Sequence, residues 1–300
     1  MSPWLRSLSQ FVVLTGGLAS TACVDLTGAV GARFIEQEEK RFAVTGKPDV
    51  AVKTFDGSIE IRGWDRPEVR VVVEKYGPDK QATSRIQVGS EQRDNRVTVE
   101  AGFPPGSSGF LHWHLSTYVK MIVSVPSASN VVAKSGDGSL SVSQVTGVLD
   151  LRSGDGSIRG QDVSGSVKAR TGDGSIALNI VDGSADLDTG DGSVKLEGQL
   201  KRVRVRTGDG SVDVRAAAGS RPEEDWDIQT GDGHVRLEVR DGFAGDLDAH
   251  TNDGRIHLDG IEVSNITGEI GRGALRGTLG GGGRAVRVRT GDGSITIRKF

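Results

Sequence analysis

The tetrapeptide Gly-Asp-Gly-Ser recurs along this chain at a nearly constant pitch. It begins at residues 136, 154, 172, 190 and 208, so that each copy starts 18 residues after the copy before it. Variant copies begin at residues 231, 252 and 271, and an intact copy returns at residue 291. A unit this short cannot bury an apolar face of its own. Repetition at this pitch therefore predicts a solenoid in which successive units stack on one another.

Each repeat unit contains two runs in which aliphatic and polar residues alternate. In the unit at 136–153, Leu140 and Val142 lie before a Gly-containing turn, and Leu149 and Leu151 lie after it. Because alternate side chains of a strand point to opposite faces, we expect the aliphatic residues inside and the polar residues outside. The pattern predicts an all-β fold, a parallel β-helix or β-solenoid with about 18 residues per rung.

The chain is expected to divide into three parts. Residues 1–22 have the pattern of a signal peptide, and residues 23–44 carry a lipidated cysteine and a tether that forms a brief helix or stays mobile. Residues 45–300 form the solenoid, with less regular N-terminal rungs over 45–130 and regular repeats over 131–300.

The signal peptide is indicated by an apolar run at residues 11–19, which follows Arg6 and is too short to span a bilayer. Small residues at 20–22 precede Cys23, which is the only cysteine of the chain. The arrangement resembles a bacterial lipoprotein signal, in which the cysteine receives the lipid. We therefore expect export and a lipid anchor on Cys23, at the outer-membrane or periplasmic side of the cell envelope. Secretion without a lipid and a buried structural cysteine are the alternatives.

Stacked rungs would bring the aspartates of the repeat corners into one file, here called the corner file. Neighbouring carboxylates about 5 Å apart repel by roughly 1 kcal/mol in water. We expect amides of the same turns and the basic residues two positions before each corner to offset this repulsion, with a calcium ion as the alternative. Both corner glycines are expected to need a positive φ. The corner file comprises Asp137, Asp155, Asp173, Asp191, Asp209, Asp232, Asp253 and Asp292, and the bases are Lys134, Arg152, Arg170, Arg206 and Arg289.

A Ser or Thr stands immediately before each corner, and alternation directs its side chain inward. We expect these hydroxyls to bond to one another and to the corner backbone, since an ice-binding ladder would have to face outward. Outward residues four positions before successive corners alternate in charge, which predicts attraction between neighbouring rungs. The hydroxyl file is Ser135, Ser153, Thr171, Thr189, Thr207, Thr230, Thr251 and Thr290, and the charges are Asp150, Lys168, Asp186 and Arg204.

The segment 103–116 departs furthest from the repeat pattern and contains Phe110, His112, Trp113 and His114. Aromatic residues in a Gly- and Pro-containing loop are typical of carbohydrate or protein recognition, so this loop is the candidate binding site. Packing of the aromatic side chains over the first rungs is one alternative, and a metal site formed by the two histidines is another.

Charge and motif content argue against two large functional classes. The 37 basic and 40 acidic residues are well mixed and give a net charge of −3, which disfavours a nucleic-acid partner. Carboxylates recur with the rungs instead of clustering in one groove, and nucleophile-elbow, phosphate-loop and His-Glu-x-x-His motifs are absent from the sequence. We therefore expect a protein that is not an enzyme and that needs no cofactor and no metal.

The repeated Ser/Thr-Gly-Asp-Gly-Ser-aliphatic units, an early copy at residues 55–61 and the strand-like segment 121–126 together resemble a widespread bacterial family. This family of Gly-Asp-Gly-repeat β-solenoids is known by the name "putative adhesin". The likeness covers roughly residues 45–300. It implies an exported β-solenoid, and it brings no catalytic or binding residues with it.

These observations favour a non-enzymatic, lipid-anchored envelope protein that presents a rigid rod to a glycan or protein ligand. A structural solenoid that assembles end to end is the first alternative, so the protein is expected to be a monomer or an end-to-end homo-oligomer. The chain ends half a rung after its last corner, which predicts an open edge that Arg298 and Lys299 protect. An enzyme that acts on cell-wall glycans is a more distant alternative.

Overall fold

The computed structural model of the protein describes residues 20–22, 34–104, 117–268 and 273–300. Nearly all regular structure in these ranges is β-strand, with the single short helix α1 at Lys80–Ser84. The strands of the N-terminal part are β1 (Ser20–Ala22), β2 (Phe34–Ala43), β3 (Asp49–Thr54), β4 (Ile59–Trp64), β5 (Glu68–Gly77), β6 (Gln87–Arg93), β7 (Arg96–Gly102) and β8 (Tyr118–Pro126). No helix within the described ranges has the length and apolar character needed to cross a bilayer.

The repeat region contributes the remaining strands. Those of the regular repeats are β9 (Asn130–Lys134), β10 (Leu140–Ser143), β11 (Thr146–Arg152), β12 (Ile158–Arg170), β13 (Ile176–Thr189), β14 (Val194–Thr207), β15 (Val212–Ala216), β16 (Trp226–Thr230) and β17 (Val235–Val239). The C-terminal strands are β18 (Gly245–Thr251), β19 (Ile256–Asp259), β20 (Val263–Gly268), β21 (Ala274–Leu279), β22 (Ala285–Thr290) and β23 (Ile295–Lys299).

Successive repeats stack as parallel strands with the register that the 18-residue pitch predicts. Leu140 lies opposite Ile158, and Leu149 lies opposite Val167 in the next rung. The predicted β-solenoid fold is therefore confirmed. Each rung adds one strand to each of two walls that meet at the Gly-Asp-Gly corner. We call the wall that contains Leu149 and its equivalents wall A, and the wall that contains Leu140 and its equivalents wall B.

The core is the thin layer of aliphatic side chains between the two walls. Leu149 and Leu151 of wall A and Ile158 of wall B are fully buried. Burial of each such side chain is worth about 1.5–3 kcal/mol, so the alternating pattern that identifies the strands also supplies the main stabilising force. The largest buried residue is Trp226, whose ring lies 5.2 Å from that of Phe243.

The N-terminal rungs do not follow the order of the chain. The early copy of the repeat, β3 and β4, lies directly next to the first regular rung, with Val50 opposite Val131 and Ile59 opposite Leu140. Strands β7 and β8 come later in the sequence and yet pair with the outer edges of β3 and β4. Strand β6 then covers β7, and β5 followed by β2 covers β8, in each case by antiparallel pairing.

The expectation of a helix or a mobile tether is wrong for residues 34–43, which form strand β2. This strand pairs antiparallel with β5 along its whole length. Cross-strand ion pairs support the pairing: Arg70 contacts Glu39 at 2.8 Å, and the buried Lys75 contacts Glu36 at 3.3 Å. Alternating charges that resemble a solvated helix in the sequence are therefore partners of the neighbouring strand.

The C-terminal strands are inserted inside the stack, so the predicted open edge at the end of the chain is wrong. Strand β23 pairs in parallel with β17 on one side and with β19 on the other, and β22 lies between β16 and β18. Arg298 does not protect an edge, because it forms an ion pair with Glu238 of the neighbouring strand. The ring of Phe300 is covered by Arg215 and Arg240, at 4.9 and 4.4 Å.

Antiparallel strands cover wall A at the C-terminal end as they do at the N-terminal end. Strand β21 pairs antiparallel with β18, and β20 pairs antiparallel with β21. A parallel stack exposes unpaired backbone groups at each end, and a cap that breaks the parallel pattern limits further addition of rungs.

Candidate functional site

The residues that the sequence singles out for binding and for lipid attachment lie outside the described residues. These are Phe110, His112, Trp113 and His114 of the candidate loop, and Cys23. The recognition loop and the lipid anchor therefore stay predictions, and the site below is built from the described residues.

The corner glycines are required by close approach of the rungs, and the expected positive φ is wrong. Among the glycines of the described Gly-Asp-Gly corners, a positive φ occurs at Gly57 of the early copy alone. A Cβ atom on Gly174 would lie 2.3 Å from the carbonyl oxygen of Gly156 in the rung before it. Glycine therefore lets neighbouring corners stack at strand spacing, which any side chain would prevent.

The hydroxyl file joins one rung to the next, as predicted for its contacts with the backbone. Thr189 Oγ1 lies 3.0 Å from the Gly172 carbonyl oxygen and 2.8 Å from that of Gly174, so one hydroxyl proton is shared between two acceptors. Thr207 repeats this geometry one rung later and also accepts from the Gly210 amide at 3.3 Å. The threonines of the file are buried within the corner and its two serines are half-buried, so the file contributes mainly to stacking.

The corner file is an exposed row of carboxylates. Each aspartate from Asp137 to Asp292 in this file is exposed, and no amide or basic side chain of the described residues donates to any of them. The basic residues two positions before the corners do not bind these carboxylates as expected; Arg152, for example, donates to Asp150 at 2.9 and 2.7 Å. Water screens the repulsion instead, which leaves roughly 1 kcal/mol per neighbouring pair. No cluster suited to metal binding occurs among the residues that the structure describes.

The outward charges in one row of wall A neutralise one another. Asp150, Lys168, Asp186 and Arg204 lie in vertical register, so that each charge has the opposite charge in the next rung. The alternation predicted from the sequence is therefore present. This row stabilises the register, whereas the row beside it carries Lys134, Arg152 and Arg170 in successive rungs.

A groove of about 500 Å³ crosses the outer surface of wall B at the rungs of β10, β12, β13 and β14. It lies where Ala177 occupies an outward position between the longer side chains of Arg159 and Lys195. Gly160 belongs to the inward file of Val142 and Leu178, and the Leu178 side chain occupies the space beside it. The main polar residues of the groove are Ser141, Ser143, Arg159, Gln161, Asp162, Asn179, Lys195 and Glu197.

A local irregularity of the strand shapes one side of the groove. The register between β12 and β13 shifts between Gly160 and Val163, and Asp162 has a φ of 52°. Such bulges turn side chains away from the regular ladder and occur frequently beside functional sites. The groove therefore lies where the repeat loses both side-chain bulk and regular pairing.

Two cations in the groove lack partners. Arg159 and Lys195 lie on either side of Ala177 in vertical register, both are exposed, and neither forms an ion pair or a hydrogen bond with any described residue. Asp213 lies next to Lys195 in register but binds Arg236 at 3.0 Å instead. Guanidinium and ammonium groups that are free of internal partners are available to bind carboxylate or phosphate groups of a ligand.

The neutral polar side chains of the groove are likewise available to a ligand. The side chains of Ser141, Gln161 and Asn179 form no hydrogen bond with any described residue. Amides offer both donors and acceptors, and hydroxyls do the same, so this set suits a ligand rich in hydroxyl groups. The residues that line the groove include no histidine and no cysteine, so its serines have no base beside them.

This groove is not apparent from what recurs in the repeats. The informative signal is an exception, namely a small outward residue between two cations one rung away on either side. This signal depends on vertical register, which the strand pairing fixes.

Comparison with solved structures finds several proteins of low sequence identity. A "putative adhesin" from Bacteroides fragilis is 12% identical, with a TM-score of 0.48, and the alignment covers 88% of this chain and 97% of that one. A "putative cell adhesion protein" from Clostridium sporogenes is 12% identical, with a TM-score of 0.30 and coverage of 88% and 100%. A "putative lipid binding protein" from Parabacteroides distasonis is 12% identical, with a TM-score of 0.43 and coverage of 87% and 96%.

A search of curated proteins gives no match. The family model described as Toastrack DUF4097 matches residues 47–298, which include both walls, the groove and the inserted C-terminal strands. Because this match spans most of the chain, the protein belongs to the Toastrack DUF4097 family.

Proposed function

We propose that the protein is a non-enzymatic binding scaffold of the cell envelope, which presents the groove of wall B to a ligand. The observation that carries this proposal is a groove whose cations and neutral polar side chains form no ion pair or hydrogen bond with other described residues. Arg159 and Lys195 have no partner, whereas Arg215 and Arg298 on the same wall both bind Glu238.

Rigidity supports a role in presentation. The groove residues belong to strands that are paired on both sides, and the side chains opposite them are buried in the core. A site built on such elements loses little conformational freedom when it binds, so more of the contact energy is available for affinity.

A binding role fits the chemistry of the groove better than catalysis does. Ser141 and Ser143 have no general base beside them, and the acids of the groove, Asp162 and Glu197, lie among the cations and amides of the ligand surface. Hydrolysis of a glycan would call for a pair of carboxyl groups held on opposite sides of the scissile bond. The proposed scaffold retains its ligand unchanged.

The location in the envelope rests on the sequence of the first 23 residues. An apolar run, small residues and Cys23 follow one another in the order of a lipoprotein signal. In this proposal a lipid on Cys23 holds the rod at the membrane, on the outer-membrane or periplasmic side, and the groove faces outward along the rod.

Presentation by a monomer is favoured over end-to-end assembly by the antiparallel caps. At the N-terminal end β6 covers wall A and β5 covers wall B, and at the C-terminal end β21 covers wall A. A filament that grows rung on rung would need open parallel edges at both ends.

Full-length protein in detergent, immobilised and exposed to solubilised envelope material, tests this function. We expect retention of a specific envelope component and no release of reducing ends from cell-wall glycan. Failure to retain any component, or steady release of reducing ends, would contradict the proposal. In cells, the variant Cys23→Ser is expected to leave the membrane fraction, whereas unchanged membrane association would rule out the lipid on this cysteine.

A further inference from the structure

We propose that the groove of wall B binds an extended anionic polysaccharide, with Arg159 and Lys195 contacting acid groups of the glycan. This inference rests on the proposed binding function and names its ligand class. Three features of the groove carry it: the spacing of the cations, the uncommitted neutral side chains, and the small residue between the cations.

The two cations are spaced along the axis of the rod. Arg159 and Lys195 belong to rungs that are separated by the rung of Ala177. Because neighbouring strands lie about 4.8 Å apart, the two Cα positions are about 10 Å apart. Ala177 projects a single methyl group between them, so a ligand that lies along the axis reaches both cations without obstruction. This arrangement suits a polymer with acid groups at regular intervals.

The neutral side chains supply the contacts that a sugar chain needs between its acid groups. Ser141 lies on the rung before Arg159, Gln161 on the rung of Arg159 and Asn179 on the rung of Ala177. The side chain of each forms no hydrogen bond with a described residue. Sugar hydroxyls both donate and accept, and amide and hydroxyl side chains can satisfy both requirements. A ligand with acid groups alone would leave these side chains without a role.

The neighbouring rungs of wall B limit the length of the site. On the N-terminal side Glu60 forms an ion pair with Arg62, and on the C-terminal side Asp213 binds Arg236 at 3.0 Å. These pairs fix their charges internally, so the uncommitted surface extends over the rungs between them. Glu197, an acid of the groove, lies 4.0 Å from Arg215 at the C-terminal edge.

Two other anionic partners fit less well. No aromatic side chain lines the groove, and a single-stranded nucleic acid usually needs aromatic rings on which its bases stack. A membrane surface would require apolar side chains that insert beside the cations. The outward side chains here are polar or, at Ala177, very small.

The experiment compares paired variants on opposite walls of the full-length protein in detergent. Arg159→Ala/Lys195→Ala removes the groove cations, and Lys168→Ala/Arg170→Ala removes the same charge from wall A, on the rung of Arg159. The probes are polygalacturonate, a phosphate-containing teichoic acid, neutral dextran, single-stranded DNA and vesicles of anionic lipid. Thermal melting of each variant verifies that the fold is intact.

We expect binding of at least one acidic glycan, with carboxylate and phosphate probes separating the two sources of acid groups. The groove variant should lose about 10- to 100-fold in affinity, since each charge-assisted contact is worth about one factor of ten or more. The wall A variant should keep the wild-type affinity, dextran should bind more weakly, and added salt should weaken binding to the acidic probes. The variant Ala177→Glu should abolish this binding, whereas Ala177→Gln should weaken it less.

Equal losses in both double variants would overturn the inference, since binding would then reflect general attraction to cations. Stronger binding to DNA or to lipid vesicles than to either acidic glycan would overturn it as well. If the protein retains an envelope component but neither acidic glycan, the ligand class is wrong and the binding function stands. If it retains nothing, both proposals fall.

Discussion

Deletion of residues 295–300 tests the order of the rungs, which is the least expected feature of this fold. If the chain ended at the tip of the rod, this deletion would remove a terminal strand and leave every other strand paired. In the observed topology it removes β23 from between β17 and β19, so β19 loses the strand with which it pairs.

The loss of folding free energy on deletion follows from the side chains that β23 buries. Ile295 and Ile297 are both fully buried, and their two side chains together contribute about 3–6 kcal/mol. A domain of ordinary stability unfolds at a cost of about 5–15 kcal/mol, so this loss is a large fraction of the total. The deletion also removes Arg298, which leaves Glu238 with Arg215 as its remaining ion-pair partner.

Amide hydrogen exchange distinguishes the two topologies. We expect the amides of β19, Ile256–Asp259, to lose their protection, while the regular rungs around β11 and β12 keep theirs, because a solenoid is coupled mainly to its nearest neighbours. The reasoning is refuted if β19 remains as protected in the shortened chain as in the intact one.

A point variant keeps the test informative if the shortened chain fails to fold. Ile297→Ala leaves the strand in place and creates a cavity that costs about 2–5 kcal/mol. We expect it to weaken protection in β19 and β17 together. Thr296→Ala on the outward face of the same strand is the matched control and should leave both strands protected.

Further predictions concern the corners and the ion pairs of Glu238 with Arg215 and Arg298. Gly174→Ala is expected to lower the melting temperature, at a cost of roughly 1–3 kcal/mol, because its Cβ would lie 2.3 Å from a carbonyl oxygen. Gly174→Asn should be no better tolerated. If Asn restored the stability, glycine would be needed for a positive φ and not for close approach. Thr207→Val removes a hydroxyl that contacts three backbone groups and should cost about 1–3 kcal/mol by denaturant unfolding, with Thr207→Ser as the conservative control. Burial raises the pKa of Glu238, but hydrogen bonds from Arg215 and Arg298 outweigh it and hold the pKa below its ordinary value of 4.5. Its stabilising effect is therefore complete above that ordinary value and is lost as the pH falls through the lower pKa of the folded state. The wild-type protein should melt above Glu238→Gln at neutral pH and approach it in acid; a constant difference would contradict this assignment. Excess chelator should leave the melting temperature unchanged, and a large decrease would favour calcium at the corner file.

The pitch and the inward pattern of the rod could be predicted because they depend on local repetition. Residues such as Leu149 and Leu151 recur at equivalent positions, and a parallel stack is the arrangement that buries them all. The order of the rungs could not be predicted in this way. Each repeat presents the same alternating edge, so the sequence pattern places the last repeat equally well beside any other. Contacts outside the pattern, such as that of Phe300 with Arg215, favour its observed position between β17 and β19.

The chemistry of the corners was harder to predict than their position. The Gly-Asp-Gly sequence admits both a positive-φ turn and a close stack, and the distance between rungs decides for the close stack at Gly174. The sequence predicts that bases offset the repulsion between the aspartates. In the structure the aspartates are exposed to solvent, which screens that repulsion, and Arg152 binds Asp150 of wall A instead.

A repeat solenoid makes its functional surface by interrupting its own pattern. Where the repeat is regular, as with Asp150 and Lys168 on wall A, outward charges lie beside opposite charges of the next rung. Where Ala177 interrupts it on wall B, outward side-chain bulk is lost, and Arg159 and Lys195 form no ion pair with a described residue. The folding energy of the rod comes from the files that repeat, so such interruptions can arise at low cost to stability. In this protein the search for a ligand should therefore begin at the rungs that break the repeat.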